Sequence, residues 1–479
     1  MFNMTTDTHF KTLDTTQNSE DDHQLAQRYA PRIRFDMKEP FYPSVAGYTI
    51  FHETAKSPSF PRTIEIQPNV TFAIEYAVWW DWDMGHLYEL EHIWVYVDAD
   101  GKIVDGEASW HGGYHQMVVA EGQLPLEDGR LTVYSEPGKH AFAPSIEWLL
   151  ERKPHTISSC GITAGKMGVH VTPLFEGYIH DRTPLNNRLV HTYLERQVFE
   201  PTFDFSNTFD LERAVFVPWD NLFKWIPSRI TWWTQELNRT IPPNERRGIR
   251  IAHRGASAYA QENSLESFHK AAELGSDMVE VDIRNTSDNQ PVIAHDASLK
   301  RLYNVDGQIS DYTLDELKEI TKSSPISTFE ETVKVCRELH MGLYLDIKEI
   351  SEESAIIIFD VIDRHHFIKN SIFGSFRPDH LADIKANRPD ALTSILFSSI
   401  HVDPVALAQS IQADYVHPCW ERRAPQPHKL LTSEWLAAVR TANLGIVCWH
   451  EERPDEIEAL WNLGVDAICS DMPELLVRK

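Results

Sequence analysis

After Gly248 the chain keeps one rhythm for about 230 residues: a short apolar run, a helical stretch, then another apolar run. The apolar runs are RIAHRG, MVEVDI, PVIAHD, GLYLDIK, SIFGSF, TSILFS, YVHP, GIVCWH and AICSD. Helical stretches such as SLESFHKAAELG, TFEETVKVCRELH, SEWLAAVRTANLG and PDEIEALWNLG separate most of them. Neighbouring parallel strands need a crossover between them, so this alternation implies parallel β/α units. Eight such units close into a (β/α)8 TIM barrel. The runs number nine, one too many. PVIAHD follows MVEVDI after only NTSDNQ, too short for a helical crossover. Those two runs are therefore expected to pair as an antiparallel hairpin, which leaves eight.

The preceding half has a different pattern. Residues 25–237 are rich in aromatic and turn residues, and VTFAIEYAVWW, HIWVYVD, RLTVYSE and RAVFVPW read as short strands. An all-β, sandwich-like domain is expected there, with SIEWLLERK as one of few helices. ITWWTQELN reads as a short helix at the junction, and NRTIPPNERRG, with paired prolines and dense charge, as a linker over residues 238–248. Residues 249–479 form the expected barrel domain. Residues 1–24 are polar, lack the apolar segment of a secretory signal, and read as a disordered tail.

Charge and cysteine usage narrow the partners. Lys and Arg total 45 against 71 Asp and Glu, a formal net charge of −26. Such a surface repels nucleic-acid backbones and anionic bilayers. No apolar run approaches the roughly 20 residues that a membrane-spanning helix needs. The five cysteines are scattered and form no CxxC pair, against a disulfide framework or a zinc–thiolate site. A cytoplasmic enzyme acting on a small molecule is the expectation.

Polar residues gather at the C-terminal ends of the barrel strands, the face where such barrels keep their chemistry. The first strand ends in His253 and Arg254, the second carries Glu280 and Asp282, the hairpin strand ends in His295, and GLYLDIK carries Asp346 and Lys348. Each i, i+2 pair points to one side of its strand. Three inward carboxylates would repel one another if bare. A hard divalent cation, Mg2+ or Ca2+, resolves this, since both prefer oxygen ligands. Two histidines suit proton transfer near neutral pH, and Arg254 and Lys348 suit a phosphate. The set describes metal-assisted phosphoryl transfer.

HRG followed by ENS, then EVDI, VIAHD, SDYTLDEL, LDIK and GVDAICSDMPE, resembles the glycerophosphodiester phosphodiesterase family over essentially the whole C-terminal domain. The resemblance implies a TIM barrel that hydrolyses glycerophosphodiesters to glycerol 3-phosphate and an alcohol. It implies His253 and His295 as catalytic, Glu280, Asp282 and Asp346 as metal ligands, and Arg254 and Lys348 as phosphate contacts. Trp449 is expected in core packing or as a wall of the substrate pocket. The chain departs from the family at Gln261–Glu262–Asn263–Ser264, where Pro-Glu-Asn-Thr is usual, and at Asp346, usually Glu. It departs again at Trp449-His450-Glu451-Glu452, usually Trp-Thr-Val-Asn, and in the turn RLYNVDGQ. The alternatives are a phospholipase D-type activity on lysophospholipids and a non-catalytic binding protein on the same barrel. The presence of both histidines and all three carboxylates argues against the last.

In the first half, WWDWDMGHLYELEHIWVYVD packs Asp81, Asp83, His86, Glu89, Glu91 and His92 into 12 residues. A second cation site built on Asp81 or Asp83, His86 and Glu91 is chemically sensible. An aromatic-rich sandwich core with charged loops is the other reading. One short window here is similar to the GHRHDWE-containing β-sandwich of necrosis-inducing proteins, which binds a divalent ion; no function is carried over from it.

Overall fold

In the computed structural model, which describes residues 8–17, 19–119 and 122–477, the strands after Gly248 close on themselves. They are β1 (Ile249–Ala252), β2 (Met278–Asn285), β3 (Pro291–Ile293), β4 (Gly342–Ile347), β5 (Ser371–Ser375), β6 (Leu392–Phe397), β7 (Tyr415–Pro418), β8 (Gly445–Cys448) and β9 (Ala467–Ser470). All but β3 run parallel, and β1 pairs with both β2 and β9, so the barrel has eight strands and no free edge. β3 pairs antiparallel with β2, Ile283 opposite Ile293, as the short NTSDNQ connection requires. Alternation along the strands separates two apolar sets. Ile251, Met278, Tyr344, Ile372, Leu396 and Val447 fill the barrel, while Val279, Val281, Leu343, Leu345 and Phe373 face the helices. Burial on both faces is why these strands read as continuous apolar runs.

Contacts divide the chain into two units. One takes residues up to 182 with Leu189–Ile241; the other takes Thr183–Arg188 with residues from 242 onward. The barrel unit thus includes a segment outside residues 249–479. Arg188 of that segment is buried and donates from Nη1 to Asp466 Oδ1 at 2.8 Å and to the Gly464 carbonyl at 2.9 Å. Asp466 also accepts from Arg440 at 2.6 Å. Removing one partner of a buried charge cluster is destabilising because the remaining charge stays buried. Arg188→Ala is therefore expected to weaken the barrel by about 3 kcal/mol, read as a lower midpoint of thermal unfolding. A fragment beginning near residue 244 lacks Arg188 and should show the same weakening.

The first unit contains two large sheets and a two-stranded one, Ala55–Lys56 with Thr63–Ile64. Of the large sheets, one has the order Val215–Pro218, Val45–Phe51, Phe72–Trp82, His86–Val97, Ile103–Trp110 and Gly113–Gln116, with Gly168–Val169 on its His86–Val97 strand. The other has the order Phe142–Ala143, Arg130–Ser135, Arg32–Phe35 and Asn207–Asp210, with Leu126–Glu127 on its Arg130–Ser135 strand. Ile33, Phe35, Ile74, Tyr76, Val78, Ile93, Val95, Leu131 and Val133 form one core drawn from both sheets, as in a sandwich. Trp94 and Tyr96 belong to another cluster on the opposite face.

Helices accompany the sheets of this unit. Trp219–Thr240 is a single helix of 22 residues with Pro227 inside it. Proline removes one backbone donor and usually ends a helix, so the sequence pattern broke at Pro227 and left only ITWWTQELN visible. The same helix takes up the first residues of the expected linker. The rest of that linker is also structured: Pro243–Glu245 form a 3-10 turn and Arg247 pairs with Asp277. The expected tail is corrected too. Thr8–Thr12 form a 3-10 turn and Glu20–Arg28 a helix capped by Ser19, whose hydroxyl accepts from the Asp22 amide. Asn221 donates to the carbonyls of Asp14 and Thr16 at 3.0 Å each. Residues 1–7 of the tail lie outside the described residues.

Candidate active site

The turn after β1 shows why His253-Arg254-Gly255 takes its form. Arg254 adopts a left-handed backbone, φ 55°, which aims its amide at Glu280 Oε2, 2.9 Å away. Gly255 follows at φ 81°, and a Cβ there would sit 2.1 Å from Ser267 Oγ, so only glycine fits.

β2 and β4 lie in register with Asp282 opposite Asp346, and Glu280 sits one inward position earlier. The three carboxylates are buried and present oxygens within 4.8 Å of one another. Burial pushes the Glu280 carboxyl well above the ordinary range, and the charges of Asp282 and Asp346 push it further. Asp346 is raised to about 6, by burial first and by Asp282 second. Burial also works against ionisation of Asp282, but Lys348 and Arg254 outweigh it and hold this carboxyl low. Lys348 Nζ reaches Asp282 Oδ1 at 3.0 Å and bonds Asp346 as well. Arg254 Nε lies 3.4 Å from Asp282 Oδ2. Glu280 Oε1 and Asp346 Oδ1 are buried with no hydrogen-bond partner. An all-oxygen set with orphaned buried atoms fits a hard divalent cation.

His253 is buried beside this set, its Nε2 4.0 Å from Glu280 Oε2 and without a hydrogen-bond partner. Its Nδ1 bonds Asp471 Oδ1 at 2.6 Å. Burial works against the charge on Asp471, but the bonds from His253 and Ser257 hold its pKa at about 2, so the carboxylate accepts and Nδ1 carries the proton. That leaves Nε2 as the free basic atom. Burial lowers the His253 pKa. His295 repeats the arrangement: its Nδ1 bonds Asp296 Oδ1 at 2.7 Å, though its side chain is 36% exposed against 7% for His253. His295 also helps to hold the Asp282 and Asp346 carboxyls down. Trp449 stands edge-on to His253, ring centroids 5.0 Å apart, and His450 stacks on His253 at 4.8 Å.

Several participants were not singled out in the sequence reading. Asp471 and Asp296 each fix one histidine. Asp471 obeys the same logic as the other site residues, since it directly follows β9. The helix after β1 is capped by Ser264, whose hydroxyl accepts from the Ser267 amide. Asn263 Nδ2 instead donates to Asp282 Oδ2 at 2.9 Å. Glu262 bonds Arg254 at 3.1 Å.

In the first unit, the four residues of the expected second cation site do not come together as a set. Asp81 shares the Trp79 face of its strand and is clamped by Arg229, at 2.8 and 2.6 Å. Glu91 is bonded by Ser109, and burial raises it to about 7. Asp83 and His86 do converge, with Glu89 rather than Asp81 or Glu91 as the third group. His86 Nε2 lies 3.6 Å from both carboxylates, and Lys139 is bonded to Asp83.

Comparison with known proteins gives one family match: the Glycerophosphoryl diester phosphodiesterase family, at residues 253–475. A glycerophosphodiester phosphodiesterase of Caldanaerobacter subterraneus is 27% identical over 244 residues, 47% of this chain and 95% of that protein. One from Bacillus altitudinis is 26% identical over 248 residues, 48% of this chain and 96% of that protein. The crystal structure of a glycerophosphodiester phosphodiesterase from Thermotoga maritima has a TM-score of 0.41 and 27% identity, covering 48% of this chain and 97% of that one.

Proposed function

We propose, from the match of residues 253–475 to the Glycerophosphoryl diester phosphodiesterase family, that the barrel hydrolyses glycerophosphodiesters to glycerol 3-phosphate and an alcohol, in lipid metabolism. The observation that carries the reading is the buried trio Glu280, Asp282 and Asp346 beneath two histidines whose Nδ1 atoms are both held by carboxylates. A bound Mg2+ or Ca2+ on that trio would supply positive charge against the negative charge that develops on the phosphate. Arg254 and Lys348 flank the trio and are the groups that hold phosphate oxygens. One histidine takes the proton of the nucleophile, either water or the glycerol hydroxyl of the substrate. The other returns a proton to the leaving oxygen.

Five free cysteines are consistent with work in the cytoplasm. Among the described residues, no helix is long and apolar enough to cross a membrane. In the first unit, Asp83, His86 and Glu89 are the candidate ligands of a second cation. Metal analysis of Asp83→Asn, expected to lose one ion relative to the parent, tests that assignment.

The test of function is a screen of the purified chain on glycerophosphodiesters and lysophospholipids, with EDTA and with added Mg2+ or Ca2+. Glycerol 3-phosphate should be released with cation and not with chelator. Full turnover in a demonstrably metal-free sample would sink the metal role. The lysophospholipid arm has its own motive: Phe376, 46% exposed, stands 6.4 Å from Trp449, an apolar lip that an acyl chain would fit.

A further inference from the structure

His295 is the more exposed of the two histidines. Its side chain is 36% exposed, and its ring is directed by one bond to Asp296, itself 32% exposed. What holds Asp296 is Arg301, on the short helix Lys300–Tyr303: Nε bonds Asp296 Oδ2. The other two nitrogens of the same guanidinium grip Glu262, Nη1 to Oε2 at 2.8 Å and Nη2 to Oε1 at 2.7 Å. Glu262 is in turn bonded to Arg254, the neighbour of His253. One fork therefore bridges the loop after β3 to the loop after β1. Exposed ion pairs add little to stability, but a three-point guanidinium fork fixes direction, which a lysine cannot do.

We propose that Arg301 is a positioning residue for His295, tying the second histidine, through Asp296 and Glu262, to the loop that carries the first. The inference rests on His295 being an acid–base group, so its test includes that residue. The comparison uses wild type, Arg301→Gln, Arg301→Lys, His295→Ala and the double variant His295→Ala/Arg301→Gln. Each is assayed as full chain with Mg2+ on glycerophosphocholine. Arg301→Gln should lower kcat roughly 10-fold with KM changed less than about 3-fold, and Arg301→Lys should stay closer to Arg301→Gln than to wild type. In the His295→Ala background the same Arg301 change should alter kcat by less than about 2-fold, because a residue acting through another has nothing left to act on. Equal factors in both backgrounds, or a near wild-type Arg301→Gln beside an impaired His295→Ala, overturn this proposal and leave the proposed function standing. A fully active His295→Ala overturns both. If Arg301→Gln fails to fold, Glu262→Gln removes the other anchor and carries the same comparison.

Discussion

His253→Ala lowers kcat by about 10²–10⁴-fold, the range for loss of a positioned acid–base group. The expectation is larger for this histidine than for His295, for three reasons. Its ring is almost wholly buried, so solvent does not substitute for it. Its Nδ1 proton is committed to Asp471 at 2.6 Å, which leaves Nε2 as the single reactive atom. That atom lies 4.0 Å from Glu280 and has no competing partner. Asp471→Asn keeps the shape but can present an amide N–H to Nδ1, favouring the opposite tautomer, and should lower kcat at least about 10-fold. Steady-state kinetics on protein with unchanged circular dichroism and metal content decide the matter. A His253→Ala enzyme within a few-fold of wild type would place proton transfer elsewhere.

The barrel was legible because its strands are short, apolar on both faces and separated by amphipathic helices. Its carboxylates were legible because i, i+2 spacing on such a strand leaves polar groups with nowhere to go but inward. Pairings across the chain were not. Asp471 meets His253 across 218 residues, and Arg188 meets Asp466 across 278, distances at which no local pattern speaks. The first unit was half legible for a related reason. Its longest strands, Phe72–Trp82 and His86–Val97, are buried on both faces, so burial showed in the sequence but not what covers each face. The Trp219–Thr240 helix packs on one of those faces, where Leu222 and Trp219 close on Gly47 and Arg229 takes Asp81. With its pattern split at Pro227, neither that cover nor the diversion of Asp81 from a cation site could be read from residue types alone.

Glu280→Gln removes turnover by roughly 10³-fold, the equivalent of ~4 kcal/mol of charge stabilisation, and in chelator it yields a protein more stable than the wild type. The two effects have opposite signs on the proposed reading, in which the same carboxylate would be a ligand with the cation bound and is a buried excess charge without it. With all three acids ionised, the trio carries three negative charges against the two of Lys348 and Arg254, and glutamine removes the surplus one while keeping an oxygen for the Arg254 amide. The pH dependence follows from the raised carboxyls. Asp346, at about 6, and Glu280, well above its ordinary range, bind protons in the folded chain that the unfolded chain has released. The contribution of Asp346 is fully present below about pH 4 and is lost as pH rises through about 6; that of Glu280 is lost in the same direction, and because only the wild type has it, chelated wild type weakens relative to Glu280→Gln from pH 5 toward pH 8. Cation binding to the folded state alone should reverse the order, adding about 2.7 kcal/mol at a hundredfold excess over Kd. Thermal midpoints of both proteins at the two pH values, in EDTA and in Mg2+, test every sign. If the wild type is the more stable of the two in EDTA at pH 8, or gains no more from Mg2+ than the variant does, then Glu280 is not a cation ligand and the trio is held by Lys348 and Arg254 alone.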